Sequence, residues 1–419
     1  MSYDNFILHL QSNSVVMKPY KLSPTQGTMP PDKIVGRKKD LKRLEKTLEA
    51  QSVVVEEIRR MGKTLFLKKY AYIPHENQKV IYFTLQGVKD VNELIDNLIN
   101  DLRKEQSFGK LKIAWDSIKS LYNNVKPDEV DINVVSFKLP EWKTKWKEAL
   151  TACLEDIAKR EKDNEETLII ILDELPIMIW DWIQNNKAEQ AKEFLDVLRK
   201  NRQLLEETGR VRFVICGSIG MQVVLKKLKE EYSYTGEAFN DMFPFSIGAM
   251  EPKDSEFLCK CLFLDDFEIK KGENKEELLN LISKYAEHLP FYINIIFSIV
   301  RNECDNILSK TNIDQALYIL LNEPQYSKVL KQLEERITIY YTEEDAKNMK
   351  AILDFMSKSD DIVSEKELIT TLGLEKDKVK NSLYTLHSEN YLMKDFKEEQ
   401  NYYSFKYKIV KKWWRINMA

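Results

Sequence analysis

Cysteine is scarce in this 419-residue sequence, neither sign of charge is in excess, and no long hydrophobic run interrupts it. Five cysteines, Cys153, Cys216, Cys259, Cys261 and Cys304, are odd in number and sit mostly within apolar runs, which argues against a disulfide framework and for a reducing compartment. Cys259 and Cys261 have no second Cys or His pair at zinc-site spacing, so core packing outweighs metal binding there. With 64 basic against 67 acidic side chains, bulk charge predicts neither a nucleic-acid coat nor an acidic tail. No window of 18 uninterrupted apolar residues occurs, and MSYDNFILHLQSN lacks the basic flank and apolar core of a leader peptide. The expectation is a cytoplasmic protein without a membrane partner.

The length suits two or three domains. Residues 18–33 carry four prolines and read as the end of an N-terminal arm spanning 1–33. Leu41, Leu44 and Leu48 then recur at helical steps, and SVVV, KVIYFTL, TLIIILDEL and VRFVICGS follow as apolar strands separated by amphipathic helices. Apolar runs of this kind are buried on both faces, as parallel strands are. This predicts an α/β parallel-sheet sandwich over 34–250, with an insertion at about 105–148. Strands nearly vanish afterwards, so a helical lid domain is expected over 251–335. Three short helices and a hairpin around KEEQN predict a winged helix over 340–419, its second helix opened by the capping box Ser364 and Glu367.

The stretch VVVEEIRRMGKTLF resembles a phosphate-binding loop, G-x-x-x-x-G-K-[ST], with Glu57 in place of the first glycine. Such a loop must leave a buried strand and open a helix, because only then do its amides and the helix N-terminus converge on phosphate oxygens. SVVV before it and TLFLKKYAY after it meet that condition. Lys63 would lie between the terminal phosphates and Thr64 would offer its hydroxyl to Mg²⁺. Arg59 and Arg60 could offset the charge of Glu57, and Met61, Gly62 and Leu65 complete the loop and its first helical turn. A purely structural strand-turn-helix is the competing reading. A second, independent match is IIILDEL, which places Asp173, a metal ligand, and Glu174, an activator of water, at the tip of an apolar strand. A D-E turn that merely caps a helix is its bland counterpart.

GRKKDLKRL, RRMGKT, FTLQGVKDVNELIDNL, IILDELP, FLDVLRKNRQ, RFVICGSIGM, FNDMFPFSIGAMEP and FKYKIVKKWW, in that order, resemble the archaeal-type ATPases of the STAND and AAA+ assemblage, relatives of origin-recognition ATPases, over roughly residues 31–415. That resemblance implies a P-loop NTPase core, a helical lid and a C-terminal winged helix. It implies that Val35, Gly36 and Arg37 border the adenine, that Ser218 reports the γ-phosphate, and that Pro290 belongs to a lid motif in which Glu287 and His288 replace a common glycine. Arg199 and Arg202 match an L-R-x-x-R helix that could supply an arginine finger or a contact in a nucleotide-dependent oligomer, against the alternative of a solvated helix face. The implied ligands are ATP or ADP with Mg²⁺.

A winged helix touches DNA through its third helix and its hairpin. Lys376, Lys378, Lys380, Asn381 and Tyr384 are permissive for that, whereas Glu398 and Glu399 at the hairpin turn oppose it. Trp413 and Trp414, in a terminal stretch rich in Lys and Arg, read as packing residues. The expected function is a slowly hydrolysing Mg-ATP switch that controls a partner protein or DNA, with phage defence, mobile-element biology or toxin control suggested by the resemblance. A winged-helix DNA-binding regulator with a non-hydrolysing nucleotide site is the alternative, and a structural adaptor for an effector is a third reading.

Overall fold

The computed structural model describes residues 18–104, 146–148, 150–151, 154–155, 166–207, 211–359 and 362–419. Most of the expected arm and insertion, and Cys153, lie outside these residues.

A five-stranded sheet organises the larger unit. Its strands are β1 (Val53–Val55), β2 (Gln78–Thr84), β3 (Thr167–Asp173), β4 (Val211–Cys216) and β5 (Phe243–Phe245), all parallel, in the order β2-β3-β4-β1-β5. The alternation of side chains along each strand feeds two separate cores. In β3, Leu168, Ile170 and Leu172 point into one and Ile169 and Ile171 into the other; in β4, Phe213 and Ile215 divide from Val214 and Cys216 in the same way. All of these are buried, and each contributes roughly 1.5–3 kcal/mol relative to exposure. Helices α1 (Lys38–Ala50) and α2 (Lys63–Tyr72) cover the second core through Leu41, Leu44, Leu48, Phe66 and Leu67. Helices α3 (Val91–Lys104), α4 (Leu175–Gln184), α5 (Ala188–Glu207) and α6 (Met221–Tyr232) cover the first.

The chain divides into two compact units. The smaller comprises the described part of 1–29 with 249–330 and 408–418, and the larger comprises 30–248 with 331–407. In the smaller unit, α7 (Pro252–Phe263), α8 (Lys275–Tyr285), α9 (Pro290–Glu303) and α10 (Lys310–Asn322) pack together, and β6 (Glu268–Ile269) pairs with β7 (Ile307–Leu308). Cys259 and Cys261 are buried within α7.

The boundary at 330/331 falls within α11 (Pro324–Tyr340). The larger unit then adds α12 (Glu343–Lys358), β8 (Val363–Ser364), α13 (Glu365–Leu372), α14 (Lys376–Ser388), β9 (Leu392–Lys397) and β10 (Gln400–Phe405). The last three strands form an antiparallel sheet in the order β8-β10-β9, and Glu398 and Glu399 make the two-residue hairpin turn with φ of 49° and 60°. Along the chain these elements run helix, short strand, helix, helix and hairpin. The terminal helix α15 (Lys408–Asn417) belongs to the smaller unit, where Glu287 accepts from the amides of Lys408 and Ile409 at 2.9 and 2.6 Å and so caps it.

Candidate nucleotide site

The strand register places the acidic tip beside the loop. Thr84, Asp173, Cys216, Val55 and Phe245 form one row across β2, β3, β4, β1 and β5, so the loop that leaves Val55 starts two strands from Asp173 at the carboxyl edge of the sheet. That edge is where parallel α/β sheets bind ligands. The loop turns through left-handed conformations at Arg60 (φ 72°) and Gly62 (φ 83°), the second a position that glycine favours, and Lys63 opens α2.

Lys63 is buried, and its ammonium donates to the loop carbonyls of Glu57 at 2.6 Å and Ile58 at 3.2 Å. Burial pulls its pKa below the ordinary lysine range; the Arg336 guanidinium acts in the same direction, while Cys216, Glu57 and Glu174 oppose it. Asp173 is buried, its Oδ2 accepts from the Tyr82 hydroxyl at 2.6 Å, and its Oδ1 has no nitrogen or oxygen hydrogen-bond partner. An orphaned carboxylate oxygen of this kind fits a hard cation. Cys216 lies between the two groups, its thiol pushed far up by burial and then by the charge of Asp173.

Glu174 caps α4 with φ 64°, and its Oε2 accepts from both the amide and the hydroxyl of Ser218, at 2.8 and 2.9 Å. The two residues assigned to water activation and phosphate sensing are therefore joined. Gly217 permits the approach: a Cβ there would stand 2.6 Å from Cδ of Pro176.

Glu57 does not enter the loop hollow. Its carboxylate is fully enclosed and accepts from Ser246 Oγ at 2.7 Å, the Gly248 amide at 3.3 Å and the Ile58 amide at 3.0 Å. It also meets the Lys406 ammonium at 2.9 and 2.8 Å, and Lys406 in turn donates to Asn390 at 2.6 Å. Lys406 directly follows β10, so the C-terminal elements of the larger unit are fastened to the loop. Between them lies a cavity of about 290 Å³ whose lining includes Glu56, Glu57, Gly220, Tyr384 and Glu389. Burial raises the Glu389 carboxyl, and burial followed by the charge of Glu389 raises Glu56.

Ile34, Gly36 and Arg37 brace the loop helix: Lys69 donates to the carbonyls of Ile34 and Gly36 at 2.6 and 2.8 Å, and buried Arg37 donates to those of Ile247, Gly248 and Met61 at 3.2, 2.9 and 3.5 Å, while Val35 between them is buried. Arg60 donates to Gln332 at 3.3 Å, Arg59 is half-buried, Met61 is buried, and Thr64 and Leu65 are half-buried on the first turn of α2. The α5 arginines do not share one solvated face. Arg199 reaches Asn240 at 3.5 Å, whereas Arg202 is buried and spent on Glu206, Asp241 and the carbonyl of Ala238, because helical spacing turns it into the core. Pro290 opens α9 in the smaller unit, preceded by Glu287 and His288 at φ 51° and 59°, the backbone that a glycine would adopt. Tyr82, Arg336, Glu389, Asn390 and Lys406 were not singled out for this site from sequence; only Lys406 carried a signal, as part of the basic terminal stretch.

The Walker-type ATPase paby2304 of Pyrococcus abyssi superposes over 93% of this chain and 99% of its own, with TM-score 0.59 and 13% identity. The two share an α/β fold organised on a parallel sheet. The RuvB Holliday junction branch migration motor of Thermotoga maritima aligns over 91% of this chain and 95% of its own at 11% identity, with TM-score 0.36. No family model matches the chain, and no curated protein matches it significantly. Among the described residues no helix is long and apolar enough to cross a membrane.

Proposed function

We propose that this chain is a Mg-ATP-dependent switch that hydrolyses slowly and uses its C-terminal winged-helix elements as the moving part. Lys63 and the loop amides would hold the phosphates, and Thr64 and Asp173 the Mg²⁺, which when bound supplies charge neutralisation at the phosphates. Lys63 must then exchange the Glu57 and Ile58 carbonyls for phosphate oxygens. Ser218 fixes one oxygen of Glu174, leaving the other to orient and deprotonate water. The observation that carries the switch reading is the Glu57–Lys406 pair: the residue that breaks the loop pattern is the one that fastens the C-terminal elements to the loop.

The DNA-binding alternative gains little support. Lys378 pairs with Glu344 at 2.6 Å and Lys380 with Glu365 at 3.7 Å, so both are partly neutralised before any backbone phosphate approaches. We therefore favour a protein as the controlled partner; roles in phage defence or mobile-element control rest on the family resemblance.

The test is titration of a fluorescent ATP analogue with Mg²⁺, beside steady-state hydrolysis. Lys63→Ala is expected to weaken binding at least about 100-fold, the loss of a charge-assisted phosphate contact, and Glu174→Gln to keep binding while losing turnover by about 100-fold or more. Wild-type protein that binds no nucleotide, or Lys63→Ala that binds as well, refutes the reading.

A further inference from the structure

Arg336 lies on the second half of α11, in the unit that holds the loop. One turn before it Gln332 accepts from Arg60, and one turn after it Tyr340 packs edge-on against Trp180 of α4 at 4.8 Å. Residues 332, 336 and 340 share one helix face, so that face rests on the loop and on the helix that follows Asp173 and Glu174. The charge of Arg336 acts on Lys63, which sets two buried cations in one neighbourhood.

Its anionic partner is poorly placed. Glu389 stands 3.6 Å away, with both side chains 9% exposed, which is an ion pair beyond hydrogen-bonding distance. The Arg336 Nε is buried with no hydrogen-bond partner. Glu389, just past the end of α14, is meanwhile held against the backbone of Gly220. A guanidinium kept near a phosphate loop with donors to spare is suited to a polyanion, because its planar fork matches phosphate oxygens.

We propose that Arg336 is a phosphate-binding residue of the nucleotide site and that it exchanges Glu389 for the bound triphosphate. The inference rests on the nucleotide-site reading above and adds the direction of coupling. When Arg336 turns to phosphate, Glu389 is left as an uncompensated buried carboxylate facing Glu56, and the end of α14 is expelled. Nucleotide occupancy is thereby converted into repulsion at one helix end.

The full chain is titrated with the fluorescent ATP analogue and Mg²⁺ as wild type, Arg336→Gln, Arg336→Lys, Glu389→Gln and Lys63→Ala, with melting curves for each. Arg336→Gln should weaken binding about 10- to 100-fold, as loss of a charge-assisted contact does, and Arg336→Lys should restore part of it. Glu389→Gln should act in the opposite direction and tighten binding by about 3- to 10-fold, because it removes the competing carboxylate. A purely structural pair would shift both variants the same way. Arg336→Gln binding like wild type, or Glu389→Gln failing to tighten, overturns the inference while a weakened Lys63→Ala leaves the nucleotide site standing. Should Arg336→Gln not fold, the sign of the Glu389→Gln effect decides alone. Wild type without nucleotide binding removes both.

Discussion

Neutralising the Glu57–Lys406 pair should loosen the C-terminal elements and open the loop to nucleotide. The ammonium approaches two carboxylate oxygens at 2.9 and 2.8 Å, and its side chain is 18% exposed against 0% for Glu57. At an effective dielectric of about 20 the gross attraction is about 6 kcal/mol, most of it offset by desolvation. Truncating one partner of a buried pair costs about 3–5 kcal/mol. Three further donors remain on Glu57 and Lys406 keeps some solvent, so about 2–3 kcal/mol is the expected coupling between Lys406→Met and Glu57→Gln. Urea denaturation of the two single variants and the double variant closes that cycle. If the fastened state excludes nucleotide, the same energy raises the apparent ATP affinity of Lys406→Met by at most about 30- to 150-fold. A coupling below about 0.5 kcal/mol, or Lys406→Met that binds ATP no more tightly than wild type, would refute the reasoning.

Glu56 holds its proton more tightly folded than unfolded, through burial first and Glu389 second, so its contribution favours folding in acid and is lost as pH rises through the folded pKa. Glu56→Gln should therefore raise the melting temperature at pH 7.5, with the gain vanishing below the ordinary carboxyl value of 4.5; a gain that persists in acid contradicts this assignment. Arg202→Met, leaving Glu206 and Asp241 facing an apolar side chain, should cost about 3–5 kcal/mol in denaturant titrations without changing ATP affinity of the folded protein. A melt indistinguishable from wild type would show that the ion pair contributes nothing. Gly217→Ala should destabilise by about 1–3 kcal/mol, because the Pro176 ring cannot swing away from the new Cβ. An unshifted melting curve would mean that the turn relaxes freely.

Four of the five sheet strands were legible because continuous apolar runs are what a doubly covered parallel strand requires. β5 was not: its sequence is FPF, and proline argues against a strand. It is tolerated because β5 is an edge strand paired only with β1 within the five-stranded sheet. The two-residue β6, β7 and β8 carry no periodicity to detect. Lys63, Asp173 and Glu174 could be read locally, since each sits at a strand-to-helix junction with its own pattern. The partner of Glu57 could not, because Lys406 is 349 positions away and no spacing rule connects them. Tyr82 looked like one more strand residue, and its hydroxyl acquired meaning only through the register that sets Thr84 opposite Asp173.

The row from Thr84 to Phe245 ties the site to hydrogen-bond bookkeeping in the sheet, and that limits how such a protein can change over time. One residue inserted inside β3 or β4 would carry Asp173 or Cys216 onto the opposite face and separate acid from loop in a single event. Lengthening a connection outside the strands leaves that alignment untouched. Novelty in proteins built this way should accumulate in the connecting segments, with strand lengths frozen.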